Sequence, residues 1–224
     1  MAVIRTSLFR ENFYILEDDR VRQFLLVEPD RALLIDTGFP DSDVAGAVRA
    51  ITDAPVTVIL THGDMDHTGG LSAFGSCYLH PDDWHLVHEP VQLLPLREGD
   101  VFTCAGYRLE TIEIPGHTYG SVAFFDRAHR LLLPGDSVQK DGPIYLFGAH
   151  RNMDLYIESL RKLSRWADLA DTILPCHHAC PIDPSYIGKD LEDALALRAG
   201  KLPGVPHPTM PCSTFQGKWT AFYA

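Results

Sequence analysis

The chain has 224 residues, of which 46% are hydrophobic and 22% charged, and a formal net charge of −11. Length and composition fit one sizeable soluble globular domain over residues 1–224. The acidic balance, without a Lys/Arg run, excludes a nucleic-acid partner; no stretch nears the ~20 apolar residues of a membrane span, and residues 1–6 lack the apolar core of a signal peptide.

Strand-like runs come first, around residues 3–9, 13–17, 21–28 and 32–36, with Pro29-Asp30 as a hairpin turn between the last two. Residues 41–51 read as a helix capped by Asp41 or Ser42, with Val44, Val48 and Ile51 on one face. A strand at 56–60 follows, then a helix beginning near 66–68, whose N-terminal dipole favours a carboxylate. Residues 77–79 form a short strand, and 81–88 a helix entered at Pro81. Further strands are expected near 101–104, 107–114, 121–125 and 130–133. The clearest helix is 153–166, capped by Asn152, with Tyr156, Ile157, Leu160 and Leu163 at helical spacing. A strand at 173–174 and a helix at 183–199 follow. The Pro-rich 202–211 then reads as an extended connector to a strand-like 213–223. Two batches of strands, each trailed by helices, predict two packed sheets with helices outside.

The chemistry concentrates where strands end. Thr61-His62-Gly63-Asp64-Met65-Asp66-His67 follows the apolar run at 56–60 and holds two imidazoles and two carboxylates. Those are the usual ligands of a divalent cation acting as a Lewis acid. Taken alone the loop could be ordinary surface polarity. Three more strand ends repeat the pattern: His117 on a Pro-Gly turn, Asp136 after Leu131-Leu132-Leu133-Pro134-Gly135, and His177-His178 after Ile173-Leu174-Pro175-Cys176. Four such sites in one chain favour a functional constellation held on loops.

These segments, with Ala32-Leu33-Leu34-Ile35-Asp36-Thr37-Gly38 upstream, resemble the metallo-β-lactamase superfamily. The resemblance covers the chain from its first strands to His177 and implies an α+β fold: a four-layer αββα sandwich of two mixed β-sheets with helices on both outer faces. It also implies a dinuclear site. His62, Asp64 and His117 would hold one metal, Asp66, His67 and His177 the second, and Asp136 would bridge them. The family usually has His where this chain has Asp64. With Asp64, Asp66 and Asp136 all ligating, three negative charges would meet two dications, giving a weaker Lewis acid that accepts hard ions more readily. Zinc is the expected ion, with iron or manganese admitted by Asp64.

A metal-bound hydroxide would then attack a carbonyl or phosphoryl group, with Asp66 orienting the nucleophile and passing its proton on. The expected substrate is a small ester, lactone or thioester, with Tyr119, Tyr145, His150 and Arg151 on loops near the cleft. Asp64 also motivates a second reading, a diiron oxidoreductase reducing oxygen or nitric oxide with a separate electron-donor partner. A third, a non-catalytic binding relative, sits poorly with so complete a ligand set. Five scattered cysteines, Cys77, Cys104, Cys176, Cys180 and Cys212, argue against a disulfide framework and for a reducing, cytoplasmic location. Oligomeric state is not specified by these features.

Overall fold

In the computed structural model, which describes residues 3–224, the chain divides into two compact units, Met1–Ile112 and Glu113–Ala224.

In the first unit, β1 (Arg5–Arg10), β2 (Phe13–Glu17), β3 (Arg22–Val27) and β4 (Ala32–Ile35) form an antiparallel meander. The turn between β3 and β4 closes as the Pro29-Asp30 signal predicts, with Glu28 N donating to Arg31 O at 2.8 Å. From β4 the chain crosses over through α1 (Val44–Arg49) to the parallel strand β5 (Val56–Ile59), then through α2 (Met65–Thr68) to β6 (Ser76–Leu79) and β7 (Gln92–Pro95). The result is one mixed seven-stranded sheet in sequence order. Leu25, Leu34 and Val58 pack with Val44 and Val48 of α1, removing the helix's apolar stripe from water. A hairpin, β8 (Val101–Cys104) and β9 (Tyr107–Glu113), follows.

Two helix readings change. The cap of α1 is Asp43, whose carboxylate accepts Gly46 N at 2.8 Å. Ser42 instead donates to the buried carboxylate of Asp18, so its hydroxyl is committed elsewhere. Residues 81–86 form a 3₁₀-helix, not the α-helix expected over 81–88.

In the second unit, β10 (Val122–Asp126) pairs antiparallel with β11 (Leu131–Leu133). The next elements are β12 (Pro143–Tyr145), α3 (Met153–Ser164) and β13 (Thr172–Ile173), which joins β11 in parallel. Asn152 caps α3 as expected, accepting Leu155 N at 3.0 Å. After α4 (Ser185–Arg198), the segment expected as a connector and one strand makes three: β14 (Gly204–Pro206), β15 (Ser213–Gln216) and β16 (Ala221–Tyr223). These join β12 in a third, four-stranded sheet, in the order β12-β16-β15-β14, beyond the two sheets expected. Asp193 of α4 fixes the last turn by accepting the main-chain N–H groups of Lys218, Trp219 and Thr220 at 3.0, 2.7 and 2.9 Å. Among the described residues no helix is long and apolar enough to cross a membrane.

Candidate metal centre

In the first unit the candidate ligands leave the carboxyl ends of neighbouring parallel strands, where open α/β sheets gather ligand-binding groups. Asp36 follows β4, and Thr61 and His62 follow β5. Asp36 is fully buried at a positive φ of 63°. Its carboxylate accepts Thr61 N, Thr61 Oγ1 and His67 Nδ1, each at 2.8 Å. Because the Thr61 hydroxyl proton goes to Asp36, Oγ1 offers a lone pair to His62 Nδ1, 3.0 Å away. Both imidazoles therefore carry the proton on Nδ1 and turn the Nε2 lone pair outward, the form a cation binds. Their ring centroids lie 4.0 Å apart.

The carboxylates complete this half. Asp64 is the N-cap residue of α2, yet its side chain makes no capping bond. One of its oxygens sits 3.4 Å from His62 Nε2 instead. An oxygen of Asp66 lies 3.6 Å from His67 Nε2. The loop is fastened by Gly63 N donating to the buried Asp83 carboxylate at 2.8 Å. A Cβ at Gly63 would come within 2.9 Å of Asp83 Cβ, so that approach requires glycine.

In the second unit His117 Nδ1 faces the main-chain carbonyl of Tyr145 at 2.9 Å, so this imidazole also donates from Nδ1 and presents Nε2. Arg151 Nη1 donates to the His117 carbonyl at 2.6 Å. One oxygen of Asp136 lies 3.6 Å from His117 Nε2 and 3.1 Å from His177 Nε2, which places this carboxylate between two imidazoles. Gly116, at φ 144°, lets the turn pass α3: a Cβ there would meet Tyr156 Cα at 2.3 Å. Tyr119 and Tyr145 are exposed, His150 half-buried.

Three imidazoles locked in the ligand tautomer, with carboxylate oxygens at their Nε2 atoms, fit divalent cations. The family model for the metallo-β-lactamase superfamily matches residues 17–76, which contain the whole ligand loop. The chain is 29% identical over 175 residues to hydroxyacylglutathione hydrolase of Bdellovibrio bacteriovorus, covering 76% of this chain and 64% of that one. It is 27% identical over 213 residues to an acyl-coenzyme A thioesterase of Gallus gallus, covering 75% and 76%. A metallo-β-lactamase from Pontibacter korlensis superposes with a TM-score of 0.74 at 18% identity, over 86% of this chain and 99% of that one. In its ligand loop and in its fold the chain is similar to members of the metallo-β-lactamase superfamily.

It spans just under two thirds of the Bdellovibrio hydrolase it matches, 64%. The α+β metallo-β-lactamase fold expected from the sequence is the fold of its structural neighbours. Within it, sequence reasoning missed the supporting groups. Asp36 was legible only as part of a strand and turn; its signal was an acidic residue ending a fully apolar strand. Asp83 and the Tyr145 carbonyl had no signal, because pairing across 20 and 28 residues leaves no local pattern.

Proposed function

We propose that the chain is a metal-dependent hydrolase of a small ester or thioester. The observation that carries this reading is the set of three imidazoles whose Nδ1 atoms are engaged by Thr61, Asp36 and Tyr145 O, so that each offers Nε2. His62, Asp64 and His117 would hold one divalent ion and Asp66, His67 and His177 another, with Asp136 shared. Such ions supply Lewis acidity toward a carbonyl oxygen and lower the pKa of water.

The chain's own groups supply the rest. The Asp66 carboxylate, with its side chain 20% exposed, orients the attacking water, takes its proton and returns it to the leaving thiolate or alkoxide. Water adds to the acyl carbon, the C–S or C–O bond breaks, and a carboxylate and a thiol or alcohol result. Asp36 and Thr61 hold the imidazoles in one tautomer. The hydrolase and thioesterase named among the relatives support thioesters as the first class to assay.

The test is metal content of protein purified without added metal, beside hydrolysis of a thioester, lactone and phosphodiester panel. Two zincs per chain are expected, with thioester turnover falling at least ~100-fold in Asp66→Ala. Stoichiometric iron with a charge-transfer band would sink this reading in favour of the diiron oxidoreductase that Asp64 admits. A single metal, raised to two by Asp64→His, would exclude Asp64 as a ligand.

A further inference from the structure

The third sheet carries a row of aromatic rings that the ligand chemistry does not use. The parallel register of β12 and β16 sets Ile144 beside Phe222 and Tyr145 beside Tyr223. Side chains alternate along a strand, so Ile144 and Phe222, both fully buried, turn inward. Tyr145 and Tyr223 turn the other way. Their centroids are 4.8 Å apart, with Phe147 5.9 Å beyond Tyr145 and His207 4.9 Å beyond Tyr223. Tyr145 is 36% exposed, and the other three rings are half-buried. The row is locked by Leu146 N donating to Tyr223 O at 2.7 Å.

Its place is set by one bond: the residue whose ring begins the row is also the residue whose carbonyl orients His117. A wet aromatic surface this close to a ligand imidazole gains free energy when an apolar group covers it. The rings of Tyr145, Phe147 and Tyr223 offer no cation to a charged thiol carrier, and aliphatic carbon is their natural complement. We propose that this row is the acyl-binding wall of the site, selecting esters or thioesters of medium-length apolar acids. The inference rests on the hydrolase reading above and assigns the wall to the acyl side of the scissile bond, not the leaving-group side.

Binding of product acids to the zinc-loaded protein, followed by isothermal titration calorimetry, separates this proposal from that reading. Octanoate should bind at least ~10-fold tighter than acetate, since each buried methylene contributes severalfold. The preference should fall below about threefold in Tyr145→Ala and persist in Tyr145→Phe. The main-chain carbonyl is kept in both variants, so zinc content should match wild type. Equal affinity for the two acids, or a preference untouched by Tyr145→Ala, would overturn the wall. So would a dimer, seen by sedimentation velocity, that Tyr145→Ala dissociates while the octanoate preference survives, because the row would then be a self-interface. An octanoate preference without turnover of any acyl thioester would keep the wall and sink the hydrolase reading alone.

Discussion

Asp36 shows how much one residue outside the ligand set can decide. Its two oxygens fix Thr61 directly, His67 by a bond to Nδ1, and His62 through the Thr61 hydroxyl. An Asn there must present either an amide N–H to a ring that is itself donating, or lose the Thr61 contact. Asp36→Asn should therefore weaken zinc binding by about 10–100-fold, measured by competition with a chromophoric chelator, while leaving the fold intact by circular dichroism. An affinity unchanged from wild type would show that the metal alone orients the rings. The ligands were readable because each stands at a strand end in a fixed chemical pattern. Asp36's role was not, because it depends on which strand lies next to β5, and adjacency in a sheet is not written in local sequence.

At the level of elements, amphipathic spacing predicted α3 and its Asn152 cap, since both are local properties of consecutive residues. The α1 cap was misplaced by one or two positions because Asp41, Ser42 and Asp43 are all competent, and tertiary contacts chose among them. Asp41 pairs with Arg20 and Ser42 with Asp18, which leaves Asp43 to bond Gly46 N. Asp43→Ala should cost about 1 kcal/mol in urea denaturation. Asp41→Ala, which removes only an exposed ion pair, should cost about 0.5 kcal/mol or less. Equal losses would contradict the cap assignment. The C-terminal strands were seen in outline but not as a sheet: β14 and β16 have three residues each, too few for a period-two pattern. They exist because β12 supplies a partner strand and Asp193 fixes the turn before β16.

For the molecule as a whole, stability carries a pH signature from a carboxyl no motif singled out. Burial pushes Asp190 well above the usual carboxylate range, and the charge of Asp193 adds to that; the bond from Gln139 N acts the other way. A raised folded-state pKa favours the protonated form. Its stabilising contribution is complete below the unfolded-chain pKa and is lost as pH rises through the folded value. Asp190→Asn removes that loss, so its Tm should gain on wild type as pH rises above the ordinary carboxylate range. A constant offset across that rise would show that Asp190 is ionised throughout. The sequence by itself determined the resemblance to the superfamily, the α+β class and the positions of the candidate ligands, because those are patterns of residue type at strand ends. Only the tertiary structure decided the tautomers, the Asp136 carboxylate between His117 and His177, the Asp190 burial and the aromatic row, because each arises when residues far apart in sequence share one environment.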